Sequence, residues 1–260
     1  MTTVLVTGAS TGIGRALALG WAARGATLVL SARGEAALRD VAHAVEARGG
    51  RAIAIPGDVT DASYRGALVA RAVETGGLDV LVNNAGRGYY AKIPGIELDG
   101  IRALFELNVF APLALSQLAL PHLAARRGTI VMVSSVAGIV AAPRYGAYAA
   151  SKFALEGLSM SMRAESAELG VRVLVVRPGP VDTPFRANAA RGEGERGYTK
   201  PDPKAQTADD VAARTIRAVE RGRPVDETSA FVRFTSAVSR WSPAAMRFAL
   251  ARMAKRPSEE

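Results

Sequence analysis

Six short runs of apolar, largely β-branched residues alternate with longer segments of helical period, and this alternation most constrains the fold of the chain. The runs begin near residues 4, 26, 51, 78, 129 and 171, and the helical segments span 12–24, 34–48, 60–75, 97–125, 145–169 and 207–221. Strands that are apolar throughout are typical of a parallel sheet covered on both faces. The sequence therefore predicts an α/β fold, a doubly wound parallel sheet with helices on both faces, in a single domain.

The composition excludes several kinds of chemistry. The 260-residue chain has no cysteine, so it forms no disulfide, thiolate metal site or cysteine nucleophile. Its two histidines, His43 and His122, lie outside any cluster with ligand spacing, and we predict no metal site. No uninterrupted apolar run approaches the roughly 18 residues of a membrane-spanning helix, and the N-terminus enters a strand pattern. We expect a cytoplasmic protein.

The stretch TGASTGIG at residues 7–14 follows the first apolar run and directly precedes a helical segment. Its glycines are Gly8, Gly12 and Gly14, and Ser10 and Thr11 between them carry hydroxyl groups. Glycines permit a tight turn and a close approach of the backbone to a ligand, and hydroxyls can bind a phosphate. Because many strand-to-helix turns are rich in glycine, this loop alone is a weak indication of a nucleotide site.

The end of the second strand indicates which dinucleotide would bind. A doubly wound dinucleotide site places there an acid for a free ribose 2′-hydroxyl, or a cation for a 2′-phosphate. The sequence has Ser31 and Arg33 at this point and no acid before Glu35. An arginine fork matches a phosphate, so NADP(H) is favoured and NAD(H) is the second choice. The alternative is that Arg33 lies at a solvated helix start.

The third and fourth strands end in GDVTD and VNNAG. Asp58 would accept a hydrogen bond from the exocyclic amine of adenine, and the backbone of Asn84, Ala85 and Gly86 would lie close to the adenosine ribose. Asp58 or Asp61 would otherwise be an ordinary N-cap of the helix that begins near residue 62.

A tyrosine and a lysine four residues apart open the helical segment after the fifth strand. Tyr148 and Lys152 would lie on one face of that helix. An ammonium beside a phenol favours the tyrosinate and lowers a tyrosine pKa that starts near 10, which suits general acid/base chemistry on a carbonyl. Tyr145 has Ala149 at the same spacing and is the weaker candidate.

Five motifs together resemble the short-chain dehydrogenase/reductase family. They are TGASTGIG, NNAG at 83–86, SS at 134–135, YAASK at 148–152 and RPGPVDT at 177–183, in the family's order. The similarity spans about residues 3–222. It implies an NADP(H)-dependent oxidoreductase that interconverts a ketone or aldehyde with an alcohol by hydride transfer. The alternative is a catalytically silent nucleotide-binding regulator or scaffold of the same fold.

The resemblance also implies roles for the catalytic residues. Tyr148 would be the acid/base, and Lys152 would lower its pKa and hold the nicotinamide ribose hydroxyls. Ser135 would bind the substrate oxygen, while Ser134 would point into the structure. Asn108 would anchor a water and proton relay behind Lys152.

The predicted cofactor contacts combine the strand ends with the resemblance. They are Gly8, Ser10, Thr11, Gly12, Ile13, Gly14, Ser31, Arg33, Asp58, Val59, Asn84, Ala85, Gly86, Tyr148, Lys152, Pro178, Gly179, Val181 and Thr183. Many NADP(H)-preferring members carry a basic residue where this chain has Thr11, which leaves Arg33 as the main cation.

We expect residues 1–222 to form a dinucleotide-binding catalytic domain. It would include a substrate lid at about 179–206, since a long glycine-containing stretch follows the sixth strand; a merely disordered loop is the alternative. Residues 223–260 would form a C-terminal extension, in which RPVDET near 223–228 is the candidate for a short last strand.

The C-terminal extension is basic. Between residues 229 and 256 it has six basic residues and no acidic one, two-thirds of the formal net charge of +9. Apolar residues recur there at intervals of three and four, at Phe231, Phe234, Val238 and Trp241. This pattern predicts two short amphipathic helices broken at Pro243. They would lie on an anionic membrane surface, or pack on the domain, cover the substrate mouth or join a subunit interface.

The substrate and partners follow from the same residues. A mixed aromatic and apolar lining indicates an uncharged, hydrophobic small molecule, with Tyr89, Tyr90, Val140, Tyr145 and Phe185 as the lining residues. The positive charge is concentrated in the extension and no recognition motif accompanies it, so nucleic acid is not a predicted partner. The resemblance implies a homodimer or homotetramer formed through the helices at 97–125 and 145–169.

Overall fold

Seven parallel strands form one sheet in the computed structural model, which describes residues 2–193, 195 and 205–254. In chain order the strands of this sheet are β1 (Thr3–Thr7), β2 (Thr27–Ala32), β3 (Arg51–Pro56), β4 (Val80–Asn83), β6 (Thr129–Val133), β7 (Arg172–Arg177) and β9 (Val225–Glu227). Their spatial order is β3-β2-β1-β4-β6-β7-β9. From β1 the chain first adds β2 and β3 on one side of the sheet and then β4 and the later strands on the other, so its direction reverses between β1 and β4. Ligands of doubly wound sheets bind at such a point. The predicted fold class is confirmed.

Helices cover both faces of the sheet. The helices are α1 (Gly12–Ala22), α2 (Glu35–Glu46), α3 (Ala62–Glu74), α4 (Leu98–Phe105), α5 (Ala111–Ala125), α6 (Gly146–Ser166), α7 (Ala208–Glu220), α8 (Ala230–Trp241) and α9 (Pro243–Ala254). Buried side chains of α1, α2 and α7 pack on one face, and those of α3, α5 and α6 pack on the other. The chain therefore has two hydrophobic layers with the sheet between them.

The central strands supply both layers. Val4 and Val6 belong to one layer and Leu5 to the other, because successive strand side chains point to opposite faces. All three side chains are fully buried. This explains why the centre of β1 is apolar at three successive positions, from Val4 to Val6.

A π-helical turn at Glu106–Phe110 separates α4 from α5. The amide of Ala111 donates to the carbonyl of Glu106, five residues earlier. The sequence predicts one continuous helix over 97–125, so the interruption is a difference from the prediction. By length and composition Leu98–Ala125 is apolar enough to cross a membrane, but in this fold 44% of its most apolar stretch is buried, including Leu115 and Leu123 against the sheet.

A small second sheet lies beside the site. Strand β5 (Tyr89–Tyr90) pairs in parallel with β8 (Ala190–Arg191), and Val181 forms an isolated bridge with Gln206. The bridge joins the two ends of the predicted lid to each other, and β8 pairs the middle of that stretch with β5. Residues 194 and 196–204 of that stretch lie outside the described residues.

Candidate active site

The glycine loop forms a tight turn between β1 and α1. Gly8 and Gly12 have φ angles of +64° and +52°, which residues with a side chain rarely adopt. A Cβ at Gly14 would lie 2.2 Å from the carbonyl oxygen of Gly8. The close approach of these two backbone segments therefore requires glycine at position 14.

Residues after β4 hold this loop in place. The side-chain amide of Asn84 donates to the carbonyls of Thr7, at 3.0 Å, and Gly8, at 3.1 Å. The Thr7 hydroxyl oxygen accepts from the amides of Asn84 and Ala85, each at 3.0 Å, and the hydroxyl donates to Val82. Asn84 is thus a clamp on the loop. Sequence reasoning missed Thr7, although its position directly before Gly8 was a usable signal.

The start of α1 suits a phosphate. Thr11 is the N-cap residue, and its side chain makes no capping hydrogen bond with the first-turn amides. A helix N-terminus with unbonded amides attracts anions. Ser10 and Ile13 are half-buried beside it, and the Thr183 side chain lies 3.1 Å from where a Gly12 Cβ would stand. This cradle fits a dinucleotide pyrophosphate.

At the end of β2, the two residues predicted to contact the 2′-phosphate lie in different environments. Ser31 is fully buried, and its hydroxyl pairs with the Tyr64 hydroxyl at 2.9 Å. Since Tyr64 donates to the Ile55 carbonyl at 2.6 Å, Ser31 is the donor in this pair. The Ser31 side chain is therefore not exposed to a ligand, contrary to the sequence prediction. Arg33 is exposed and has no hydrogen-bond or ion-pair partner among the described residues.

The turn after β3 uses its acids locally. Asp58 accepts from the amide and the hydroxyl of Thr60, at 2.9 and 2.8 Å. Asp61 is the N-cap of α3 and accepts from the Ser63 and Tyr64 amides, so the open alternative resolves in favour of Asp61 as the cap. Val59 buries its side chain in the core.

Tyr148 and Lys152 lie together, buried, on the first turns of α6. The Lys152 ammonium is 5.9 Å from the centroid of the Tyr148 ring and donates to the Val133 carbonyl at 2.8 Å. Val133 is the last residue of β6, so the pair stands at the carboxyl edge of the sheet. The structure thus brings together the two residues that the spacing placed on one helix face.

Burial has the largest effect on the pKa values of Tyr148 and Lys152. Loss of solvation raises the pKa of Tyr148 to about 12, and a hydrogen bond with Ser135 only partly offsets it. Burial lowers the pKa of Lys152 to about 8, although the nearby Glu156 carboxylate opposes this shift. The prediction that the Tyr148 pKa is lowered is therefore wrong, and Tyr148 is a neutral proton donor.

The two serines after β6 differ in environment. Ser135 is half-buried beside Tyr148 and also accepts from the Ala137 amide at 3.1 Å. Ser134 is buried next to Gly138. Ser134 therefore points into the structure, and Ser135 faces the phenol.

Asn108 lies in the π-helical turn and binds the peptide groups of Arg87. Its side-chain oxygen accepts from the Arg87 amide at 3.0 Å, and its side-chain nitrogen donates to the Arg87 carbonyl at 3.0 Å and to Ser151 at 3.1 Å. A Cβ at Gly86 would lie 3.1 Å from the Asn108 oxygen and 3.8 Å from the Lys152 nitrogen. Asn108 thus joins the segment after β4 to α6, directly behind Lys152.

The aromatic side chains near the acid/base pair form two ring contacts, one of which includes Tyr148. The Phe185 ring centroid is 5.7 Å from that of Tyr148, and the Tyr90 and Tyr145 rings meet edge to face at 5.3 Å. Tyr89 is buried instead, with its hydroxyl accepting from the Glu97 amide, because neighbouring residues of β5 point in opposite directions. The prediction that Tyr89 lines the pocket is wrong. Val140 is half-buried.

The segment after β7 runs alongside the Ser135 loop and the glycine loop. The Pro178 carbonyl accepts from the Val136 amide at 2.8 Å, one residue beyond Ser135. Gly179 lies against Val232 of α8, at 3.2 Å from a Cβ built there. Further along the chain, Val181 pairs with Gln206, and Thr183 lies beside Gly12 of the glycine loop. The two ends of the predicted site are therefore contiguous.

Sequence and fold comparisons agree with this geometry. The model of the short chain dehydrogenase family matches residues 2–194. Dehydrogenase/reductase SDR family member 7B of Mus musculus is 34% identical over 224 residues, which cover 83% of this chain and 69% of the mouse protein.

Two solved structures are similar along their length. An alcohol dehydrogenase from the archaeon Thermococcus sibiricus, complexed with 5-hydroxy-NADP, has a TM-score of 0.77 and 27% identity, covering 87% of this chain and 94% of that one. A short-chain dehydrogenase from Sphingobium yanoikuyae, in complex with NADPH, has a TM-score of 0.79 and 26% identity, covering 100% and 98%. Both hold an NADP form, which supports the prediction of a nicotinamide cofactor.

Proposed function

Because this chain belongs to the short-chain dehydrogenase/reductase family, we propose that it is an NADP(H)-dependent oxidoreductase that interconverts a hydrophobic carbonyl compound with its alcohol. The main support is the placement of Tyr148 and Lys152, buried together at the sheet edge that also carries the glycine loop. A protein that only bound nucleotide would have no need of this acid/base pair.

In the proposed reduction, the Tyr148 hydroxyl donates its proton to the carbonyl oxygen of the substrate. Ser135 holds that oxygen by a hydrogen bond from its hydroxyl. The bound cofactor supplies or accepts the hydride. In oxidation the same phenol oxygen removes the alcohol proton, and Lys152, once protonated, stabilises the phenolate.

Residues of the loop and strand ends would hold the cofactor. The amides of the first turn of α1 would bind the pyrophosphate, and Lys152 would donate to the nicotinamide ribose. The backbone at Ala85 and Gly86 would lie along the other ribose, while Pro178, Gly179, Val181 and Thr183 would contact the nicotinamide end.

The preference for NADP(H) over NAD(H) is part of the proposal. It depends on Arg33, an exposed guanidinium beyond the end of β2 that no described side chain neutralises. Asp58 has both of its assigned hydrogen bonds within its own turn, so its contact with adenine would use the remaining carboxylate oxygen.

Turnover separates an enzyme from a silent scaffold. We would titrate the purified protein with NADPH and then assay a panel of hydrophobic ketones and aldehydes, with Tyr148→Phe as the inactive control. Binding together with Tyr148-dependent oxidation of NADPH supports the proposal. Binding without turnover on any carbonyl would favour the scaffold.

The remaining assignments also stay proposals. Residues 1–222 would form the catalytic domain, to whose sheet β9 adds the last strand, with a lid near 179–206 that positions Phe185 over the substrate. The protein would act in the cytoplasm as a homodimer or homotetramer through α5 and α6, where Leu118 and Met160 are exposed on the single chain.

A further inference from the structure

The helices α8 and α9 expose an unusual number of large apolar side chains. Three aromatic residues of α8 and two residues of α9 are at least half exposed: Phe231 57%, Phe234 70%, Trp241 80%, Phe248 64% and Met253 50%. The side of α8 that packs on the domain is formed instead by Val232 and Thr235. Concentrated exposed apolar surface of this kind marks an interaction site. We call these five side chains the tail surface.

The helices α8 and α9, which carry the tail surface, are also basic. Between residues 229 and 254 the chain has four arginines, all exposed, and no acidic residue. Two of them lie over aromatic rings of the same surface, with Arg240 at 5.4 Å from the Trp241 centroid and Arg252 at 5.5 Å from the Phe248 centroid. Aromatic side chains alternating with arginines are typical of helices that lie in the headgroup region of a membrane.

We propose that the tail surface docks on an anionic membrane. The charge favours this occupant over a second copy of the chain. A symmetric contact between two copies would place four arginines against four arginines with no carboxylate from either helix to compensate them. Anionic lipid headgroups neutralise the arginines, while the aromatic rings enter the apolar boundary below.

The tail surface borders the candidate active site. Phe231 lies 3.6 Å from a Cβ built on Gly179, in the segment after β7. The Ser239 hydroxyl of α8 donates to the Ile139 carbonyl at 3.3 Å, four residues beyond Ser135. Helix α8 therefore flanks the site, and docking brings the membrane next to its rim.

This position assigns a class of substrate. An amphiphilic carbonyl or alcohol dissolved in the bilayer reaches the site without crossing bulk water. The substrate assignment rests on the proposed function, whereas the docking itself does not.

Vesicle co-sedimentation of the full chain tests the docking. The probes are vesicles of phosphatidylcholine alone and vesicles in which one-third of the lipid is phosphatidylserine. We expect binding to the anionic vesicles that weakens as salt rises. The double variant Phe234→Ser/Trp241→Ser is expected to lower the partition coefficient at least about tenfold. The matched control is Leu169→Ser, since Leu169 is exposed after α6 and outside the tail surface; it is expected to bind like wild type.

The readouts keep docking separate from catalysis. Nucleotide binding and turnover of a water-soluble carbonyl are expected to survive in the double variant, because neither changed side chain lies in the cofactor or acid/base groups. Equal recovery of wild type and double variant with the anionic vesicles overturns the docking proposal. The proposal is also overturned if wild type does not bind the vesicles and the double variant has a different oligomeric state from wild type. In that case the tail surface is a subunit interface. If no carbonyl is ever turned over, the proposed function fails while the vesicle result stands.

Discussion

The Lys152 ammonium donates a 2.8 Å hydrogen bond to the carbonyl oxygen of Val133. This contact fixes the end of a flexible side chain against the last residue of β6, in a buried setting. A carbonyl carries only a partial charge, so it does not compensate for the loss of water, and the Lys152 pKa falls to about 8. Lys152 therefore changes its charge within an accessible pH range.

We expect the affinity for NADPH to fall as the pH rises above about 8. The negative phosphates and the ribose hydroxyls of the cofactor favour the ammonium, so the Lys152 pKa is higher in the complex than in the free protein. Above about 8 the free protein has lost this proton and must take it up on binding, which weakens binding by up to about tenfold per pH unit. Fluorescence titrations between pH 7 and pH 9.5 would measure the effect. Lys152→Met is the control, and an equal slope in both proteins would contradict the assignment to Lys152.

Tyr148→Phe is expected to abolish carbonyl reduction while leaving NADPH binding nearly intact. The substitution removes the proton donor and keeps the ring that packs against Phe185. General acid catalysis contributes about 10²- to 10⁴-fold, so kcat should fall by at least that range. Steady-state assays and a nucleotide titration on the same sample would check both halves. A variant with wild-type turnover would exclude Tyr148 as the acid.

Arg33→Ala is expected to weaken NADPH binding by about 10- to 100-fold and to leave NADH binding almost unchanged. The basis is the loss of a charge-assisted hydrogen bond to the 2′-phosphate, worth about 1.5–3 kcal/mol. Arg48→Ala is a matched control because Arg48 is also exposed and follows α2. If both variants weaken NADPH equally, the effect is one of overall charge, and Arg33 does not read the 2′-phosphate.

Two glycine substitutions should have opposite effects on stability. Gly14→Ala places a methyl group 2.2 Å from the Gly8 carbonyl oxygen, which forces the loop apart, costs about 1–3 kcal/mol and abolishes nucleotide binding. Gly66→Ala, in α3, meets nothing within 4 Å and should stabilise the helix by up to about 1 kcal/mol. Thermal unfolding with and without NADPH would compare them. A Gly14→Ala protein that still binds NADPH would show that the loop tolerates a side chain.

The fold was predictable because buried parallel strands appear in the sequence as nearly continuous apolar runs. The runs at 4, 26, 51, 78, 129 and 171 each overlap a strand of the sheet. Each helical segment contains a helix within a few residues of the predicted bounds, except that 97–125 is divided into α4 and α5. The acid/base pair was predictable for the same reason, since a four-residue spacing on a helix fixes a shared face. Its ionisation was not, because burial depends on what the rest of the chain packs around it.

Contacts between distant segments were beyond the sequence pattern. Ser31 pairs with Tyr64 across the space between β2 and α3, and nothing local to Ser31 indicates that partner. In α8 the periodic aromatic residues predicted an apolar face that either met a membrane or packed on the domain, and the residues that pack on the domain are Val232 and Thr235. Amphipathicity shows that a helix has two faces, but the shape of the domain decides which one is covered.

Because of the π-helical turn at Glu106–Phe110, the side chains of α4 and α5 do not follow one continuous helical periodicity between Leu98 and Ala125. One extra residue in a turn shifts all later side chains by about 100° around the axis. Asn108 faces Arg87 and Ser151 in the turn itself, and Leu115 faces the sheet beyond it. A uniform 3.6-residue helical wheel over the whole segment would misplace one of them. If one residue were deleted here, the chain could keep Leu115 against the sheet only by turning Asn108 away from Arg87 and Ser151.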